Sequence, residues 1–234
     1  MAEAKRLDKF LSECFELSRS IIGKEVRAKH VSVNGEVQRD PAFKVYVGDH
    51  VALGDVEVEV YDKLYFMVNK PAGCVCANDD PNYPIVFSYI EEFGIHGCHC
   101  VGRLDLDTTG LILITNDGQW SHRIASPKHH CGKVYEVTLA EPVTQQQIAQ
   151  LEKGILLNGE KKETAPAVVT VRDPLHIELN IFEGKYHQVK RMIAAVGNEV
   201  TALNRISIGA LKLDPVLEQG EYRPLTEEEI ALFS

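Results

Sequence analysis

Apolar residues near the start of the chain are spaced three or four positions apart, which is the spacing of an amphipathic helix. In a first predicted helix they are Leu7, Phe10, Leu11 and Cys14. Ser18 suits the N-cap of a second helix. The inner face of that helix carries Ile21, Ile22 and Val26. Residues 5–30 are therefore predicted to form two short helices, with basic side chains on the outer face of the second.

After the second helix the pattern changes from helical spacing to alternation. Residues 31–37 alternate apolar and polar side chains around Asn34-Gly35, a strong short-range signal for a β-hairpin. Further short, valine-rich strands follow. The pattern restarts at Asp62-Lys63, just before an apolar strand of buried type. We therefore predict a small first domain, residues 1–62, and a larger second domain, residues 63–234.

The second domain interleaves many short strands with few helices. Strands are predicted near residues 64–68, 111–115, 133–140, 166–171, 175–182 and 199–203. Helices are predicted near residues 119–125, 144–152 and 187–196. Residues 168–181 are predicted to form a hairpin that turns at Asp173-Pro174. This order predicts an α+β protein: a small α/β domain, then a mixed and mostly antiparallel sheet rather than a doubly wound fold.

Composition and charge narrow the class of protein. The chain has 234 residues, of which 44% are hydrophobic, enough to bury a core. It has neither a run of about 20 apolar residues nor a secretion signal, so we expect a soluble, cytoplasmic protein without a membrane span. The net charge of −9 argues against indiscriminate nucleic-acid binding. Basic residues nevertheless cluster in residues 19–30, 120–133 and 185–212, which favours a specific contact with shaped RNA.

The six cysteines are expected to be free thiols, because the chain is long and lacks a secretion signal. Cys74 and Cys76, like Cys98 and Cys100, are separated by one residue, whereas structural zinc ligands are usually separated by two to four. We therefore expect no metal. The adjacent His129-His130 would point apart on an extended chain, which favours contact with phosphate or solvent.

A polar loop before an apolar strand, Gly102–Leu111, is the first candidate for chemistry. It carries Asp105 and Asp107, and carboxylates at such a junction can act as nucleophile, base or metal ligand. Ordinary turn structure is the alternative, since Asp, Thr and Gly are favoured in loops.

Two further segments contain basic or aromatic candidates. Lys190 and Arg191 fall in the first turns of a predicted helix, where the macrodipole does not favour cations. They need an anionic partner, either an internal carboxylate or an RNA phosphate, unless they lie on a solvated face. Lys133 and Tyr135 share one face of a predicted strand. Tyr135 can stack on an unpaired base or pack in the core.

Four ordered motifs resemble the pseudouridine synthases of the RsuA family. They are Asn69-Lys70-Pro71-x-Gly73, Gly102-Arg103-Leu104-Asp105-x-x-Thr108-x-Gly110-Leu111, Lys133-x-Tyr135 and Gly184-x-x-His187-Gln188-Val189-Lys190-Arg191-Met192. Near the start of the chain, residues 6–11 and Val31-x-Val33-Asn34-Gly35 resemble the RNA-binding domain of small-subunit ribosomal protein S4. Each motif alone is weak, but the ordered set is specific and spans essentially the whole chain.

The resemblance implies isomerisation of uridine 516 of 16S ribosomal RNA to pseudouridine, without cofactor or metal. The partner would be 16S RNA or the assembling small subunit, and the enzyme a monomer. Asp105 would be the nucleophile at the sugar or the base that removes a sugar proton. Lys190 would keep Asp105 ionised, with Asp107 serving loop structure. Tyr135 would stack on the flipped base and assist removal of the proton on carbon 5.

The remaining expected RNA contacts lie in both domains. They are Arg103, Lys133, His187, Gln188, Arg191 and Arg205 in the second, and Arg19, Lys24, Arg27 and Lys29 in the first. Three alternatives stay open. The first is a sister synthase acting on 23S RNA or tRNA. The second is a non-catalytic RNA-binding protein of ribosome assembly, which needs no aspartate. The third is a metal-dependent hydrolase that uses Asp105, Asp107 and the histidines.

Overall fold

The computed structural model describes residues 4–15, 17–90, 97–126 and 131–233. The chain divides into two compact units. The first comprises Met1–Leu64 with Glu91–His99, and the second comprises Tyr65–Ile90 with Cys100–Ser234. The sequence pattern did not predict that residues 97–99 belong with the first unit.

Two helices and a small antiparallel sheet form the first unit. The elements are β1 (Lys5–Arg6), α1 (Leu7–Phe15), α2 (Arg19–Arg27), β2 (Val31–Val33), β3 (Glu36–Val37), β4 (Lys44–Val45), β5 (His50–Leu53) and β6 (Val56–Glu59). The sheet order is β3-β2-β5-β6, and β1 pairs with β4. Ser18 caps α2 by accepting a hydrogen bond from the Ile21 N–H, as predicted. The predicted hairpin at Asn34-Gly35 joins β2 to β3 and is confirmed.

The remaining strands form the larger sheet, and the remaining helices lie between or after them in sequence. The strands are β7 (Tyr65–Lys70), β8 (His99–Cys100), β9 (Thr109–Thr115), β10 (Lys133–Leu139), β11 (Val168–Asp173), β12 (His176–Ile181), β13 (Val200–Ile208), β14 (Leu211–Lys212) and β15 (Tyr222–Pro224). The helices are a 3-10 turn (Val86–Tyr89), α3 (Gly118–Ala125), α4 (Gln145–Lys153), α5 (Gln188–Ala195) and α6 (Glu227–Ala231). Thr144 caps α4 with a capping box, and Gly197 lies just beyond α5 at a φ of +81°, as a C-cap glycine should.

The sheet runs in the order β11-β12-β10-β13-β9-β7-β15, with β14 beside β13. Along this order β9 and β13 are parallel and the other neighbours are antiparallel, which confirms the predicted α+β class with a mostly antiparallel sheet. In the parallel pair, Gly110 lies opposite Arg205. A Cβ atom on residue 110 would lie 2.3 Å from the Arg205 carbonyl oxygen, so the two strands approach closely only because that residue is glycine.

The core of the second unit fixes α3 against the sheet. Met67, Leu111, Leu113, Trp120 and Ile124 are buried together in one cluster. The Trp120 ring packs edge-on against the ring of Tyr65 at a centroid distance of 4.9 Å. This packing holds β7 and β9 in place, and the loops beside their ends line the cavity described next.

The six cysteines are free thiols, as predicted, and four of them are buried. Within the described ranges, no cluster of three or more His, Cys, Asp or Glu side chains is arranged to hold a metal ion. No helix in the described part of the chain is both long and apolar enough to cross a membrane.

Candidate active site

A cavity of about 660 Å³ lies in the second unit, large enough for a small ligand. Its walls are formed by the loop before β9, by β10 and β13, and by the segment that leads into α5. It brings together seven residues that the sequence had singled out: Arg103, Asp105, Lys133, Tyr135, His187, Gln188 and Arg205. Lys190 and Arg191 lie farther along α5 and do not line the cavity.

A buried lysine holds the loop that carries Asp105. Lys70, the last residue of β7, has 0% of its surface exposed. Its ammonium donates to the carbonyl oxygens of Pro71 (3.0 Å), Asp105 (3.1 Å) and Thr108 (2.9 Å), and more distantly to that of Leu106 (3.4 Å). Burial lowers the pKa of Lys70. The sequence motif includes Lys70, but sequence reasoning assigned it no role. Its position at the end of an otherwise apolar strand was the available signal.

The loop is also fixed from its other side by backbone and thiol contacts. The Gly73 N–H donates to the Leu106 carbonyl at 2.8 Å. The Leu104 N–H donates to the Cys76 sulfur at 3.4 Å. A hydrogen bond from Cys100 lowers the pKa of the Cys76 thiol. The backbone of the aspartate loop is thus positioned by the protein itself.

The Asp105 carboxylate faces His187. Its Oδ1 lies 3.5 Å from His187 Nε2, and 27% of the Asp105 side chain is exposed. His187 is left-handed at a φ of +46° and occupies the N-cap position of α5. Its ring stacks on that of Tyr186 at a centroid distance of 3.8 Å. His187 is therefore the basic side chain that the described residues place within ion-pair range of Asp105.

The prediction of an ion pair between Lys190 and Asp105 is wrong. Lys190 Nζ instead binds Asp107, at 2.7 Å from Oδ2. Asp107 extends from the same loop towards α5, whereas Asp105 turns towards the cavity. The Lys190 hydrogen bond lowers the pKa of Asp107. Asp107 thus ties the loop to α5.

Arg191 and Gln188 both form hydrogen bonds within the protein. Arg191 donates to the carbonyl oxygens of Asn158 (2.6 Å) and Tyr186 (3.0 Å), and it pairs with Glu160 at 3.3 Å. The amide oxygen of Gln188 accepts from the Lys185 N–H, and its nitrogen donates to Glu183. Both side chains thus have partners within the protein, and their direct contact with RNA stays a prediction. These contacts confirm that the cations in the first turns of α5 have anionic partners, which are internal carboxylates.

Tyr135 and Arg205 lie opposite each other on β10 and β13. Tyr135 is 8% exposed and Arg205 is 2% exposed. Arg205 Nε donates to the Leu111 carbonyl at 2.8 Å, and Nη1 lies 3.4 Å from the Tyr135 hydroxyl. Arg205 was predicted to contact RNA, and its burial was not predicted: β13 continues past the predicted end at residue 203 and turns this side chain inward. Its alternation with the buried Leu203 and Ser207 was the signal that was missed.

Lys133 and Arg103 both line the cavity, but they differ in exposure and in hydrogen bonding. Lys133 is half-buried, donates to the Cys131 carbonyl at 2.9 Å, and has its pKa lowered by burial. Arg103 is exposed and has no side-chain partner among the described residues. Arg103 is thus free to contact a ligand that enters the cavity.

The basic residues of the first unit are exposed on and just after α2. Lys24, Arg27 and Lys29 all face solvent. Arg19 is also exposed, but it pairs with Asp8 at 2.8 Å. Three of the four predicted phosphate contacts are therefore free of carboxylate partners in the described residues. His129-His130 lie outside the described residues.

Comparison with known proteins identifies both units. Residues 64–195 match the family model of RNA pseudouridylate synthase, and residues 5–51 match the S4 domain. Ribosomal small subunit pseudouridine synthase A of Escherichia coli (strain K12) is 52% identical over 97% of this chain and 98% of that protein. The Haemophilus influenzae protein of the same name is 49% identical over 96% and 97% of the two chains. A crystal structure of a pseudouridylate synthase shares 48% identity at a TM-score of 0.72, covering 98% of this chain and 99% of that one. The chain belongs to the RNA pseudouridylate synthase family.

Proposed function

We propose that this protein converts uridine 516 of 16S ribosomal RNA, free or in an assembling small subunit, into pseudouridine. The observation that carries the proposal is the Asp105 carboxylate, held on a fixed loop at the edge of a cavity of about 660 Å³. The choice of small-subunit RNA is supported by the relatives, which are named ribosomal small subunit pseudouridine synthase A.

In the proposed reaction the target uridine leaves the RNA stack and enters the cavity, at a cost that is smallest for unpaired bases. Asp105 acts either as the nucleophile at carbon 1 of the ribose or as the base that removes a sugar proton. The bond from nitrogen 1 to ribose breaks, the uracil turns, and carbon 5 bonds to ribose. Carbon 5 loses its proton and nitrogen 1 gains one, so the reaction is a net isomerisation that consumes no cofactor or metal.

The other side chains in and near the cavity have separate proposed roles. His187 Nε2, 3.5 Å from Asp105 Oδ1, orients that carboxylate at the edge of the cavity. Tyr135 provides an aromatic surface for the flipped base and assists removal of the proton on carbon 5. Lys190 acts through Asp107 by holding the loop against α5. Arg103, exposed in the cavity wall, contacts the RNA or fills the space that the flipped nucleotide leaves.

Affinity for RNA is assigned to the exposed basic residues of α2, which position phosphates without reading sequence. Charge reversal by Lys24→Glu with Arg27→Glu should weaken binding and lower the salt slope by about 2, with the fold intact. The control is Lys153→Glu with Lys161→Glu, which changes the net charge equally on the exposed surface of the second unit. Unchanged affinity of the α2 variant at moderate salt would contradict this assignment.

The test of the proposed function is pseudouridine mapping after incubation with separate RNAs. We expect product in 16S RNA or small-subunit particles and none in 23S RNA or tRNA. Asp105→Asn should abolish product, and a chelator should leave wild-type activity unchanged. Product from both wild type and Asp105→Asn would refute the role of Asp105. Product in 23S RNA or tRNA alone would refute the substrate. We propose that the enzyme does this work as a cytoplasmic monomer.

A further inference from the structure

The Arg205 guanidinium is a buried cation, and its two hydrogen-bond acceptors in the described residues are neutral. Its Nε donates to a carbonyl oxygen of Leu111, and its Nη1 lies 3.4 Å from the Tyr135 hydroxyl, a long contact for a hydrogen bond. Nη2 is enclosed and has no hydrogen-bond partner among the residues that the structure describes. No carboxylate in the same residues lies within ion-pair distance of Arg205.

A buried charge without a counter-charge is unfavourable, and a buried donor without an acceptor adds to the cost. Lys70, which is also fully buried, avoids this by donating to four carbonyl oxygens. Arg205 does not. Its charge also contributes to the lowered pKa of Lys133, whose main cause is burial. The cavity wall around Tyr135 therefore carries excess positive charge, and an anion is the group that would satisfy it.

The chemistry of the cavity indicates which anion. The guanidinium lies 5.9 Å from the centre of the Tyr135 ring, the ring on which the flipped base would stack. A phosphate stays on the RNA backbone, where the exposed Arg103 is available. The base itself is neutral uracil until its bond to ribose breaks. The bonding electron pair then leaves with nitrogen 1, and the charge spreads over that atom and the two carbonyl oxygens.

We propose that Arg205 stabilises this detached uracil anion by donating N–H hydrogen bonds to its carbonyl oxygens; this inference rests on the proposed function. Arg205 acts only as a hydrogen-bond donor in this step and transfers no proton. The negative charge that it stabilises disappears again when carbon 5 of the turned uracil bonds to ribose. Arg205 thereby holds the uracil in the cavity while the uracil has no covalent bond to ribose.

The test compares two RNAs whose leaving groups differ in acidity. Fluorine at carbon 5 stabilises the uracil anion, so cleavage of a 5-fluorouridine should depend less on Arg205 than cleavage of uridine. We expect Arg205→Gln to slow single-turnover cleavage of uridine RNA about 100-fold, the usual effect of losing one such donor, and to change RNA affinity less than about twofold. On 5-fluorouridine RNA the loss should shrink to about tenfold or less. Arg172→Gln, an exposed arginine on β11, is the control and should match wild type on both RNAs.

An equal loss on both RNAs, in any variant that melts like wild type, would overturn the proposal, as would a loss confined to affinity. Arg205→Lys covers the case in which Arg205→Gln fails to fold, because it keeps the cation and should lose less than about tenfold on uridine RNA. If neither variant folds, the proposal is tested by comparing the rates of the wild-type enzyme on the two RNAs. Fluorine should then change its rate less than about tenfold, and a much larger acceleration would show that the leaving charge is not stabilised. Wild-type product in the same assay tests the proposed function separately.

Discussion

Replacing Lys70 with methionine removes the ammonium that ties the aspartate loop to the end of β7. Methionine fills a similar volume and packs well in apolar surroundings. The carbonyl oxygens of Pro71, Asp105 and Thr108 each lose a donor at 2.9–3.1 Å. We therefore expect both the stability of the fold and the position of Asp105 to change.

The magnitude follows from those contacts. Hydrogen bonds from a charged donor contribute about 1.5 kcal/mol or more each, so three amount to roughly 5 kcal/mol. Removing a buried ammonium also removes its desolvation cost, which we set at roughly 2 kcal/mol. The net loss is about 3 kcal/mol, or a fall of about 9 °C in Tm for a unit of this size. A loop shift of about 1 Å at Asp105 would slow catalysis about 100-fold.

Thermal melting and single-turnover pseudouridine formation measure the two effects separately. Lys153→Met, at an exposed position that ends α4, is the matched control and should alter neither. A Lys70→Met protein with wild-type Tm and wild-type rate would show that Lys70 neither stabilises the fold nor positions Asp105. Loss of stability with an unchanged rate would show that Asp105 is positioned without Lys70.

Three further outcomes are expected. Asp8, whose pKa a hydrogen bond from Arg6 helps lower to about 2, should stabilise the fold by about 1 kcal/mol above pH 4 and progressively less as the pH falls towards 2. Urea denaturation of Asp8→Asn should lose this pH dependence, and its persistence would disprove the assignment. Asp107→Asn should slow pseudouridine formation by less than about tenfold while Asp105→Asn abolishes it, and equal losses would contradict the separation of roles. Iodoacetamide at pH 7 should alkylate Cys76 before the other cysteines and inhibit the enzyme, because Cys76 lines the cavity and a hydrogen bond from Cys100 lowers its pKa; peptide mass spectra showing another thiol labelled first would oppose this.

Most of the fold could be predicted from local pattern. The helices of residues 5–30, the Asn34-Gly35 hairpin and the longer strands of the large sheet have a clear period of apolar residues or a specific turn sequence. The short β15 and α6 near the end of the chain were not predicted. Their three and five residues are too few to show a period, and they are ordered by long-range contacts such as the pairing of Tyr222 with Val68.

The candidate site was predicted less completely than the fold. Motif order pointed to Asp105, Tyr135 and His187, and the structure places all three in one cavity. Sequence could not show that Lys190 pairs with Asp107 rather than Asp105. The two aspartates are only two residues apart, and the turn of the loop decides which of them faces α5. Sequence also could not show that Arg205 is buried, because that depends on pairing between strands far apart in sequence.

The close contact of Gly110 with Arg205 has a consequence for chain length. The loop from Asp105 is fixed at one end by Lys70 and at the other by the register of β9 against β13. Only four residues separate Asp105 from Gly110. Inserting or deleting one of them would move either the carboxylate out of the cavity or a residue with a Cβ into a space that holds none. Variation in length should therefore be rarer here than variation in residue type, and an attempt to graft this loop into another protein must carry both anchors with it.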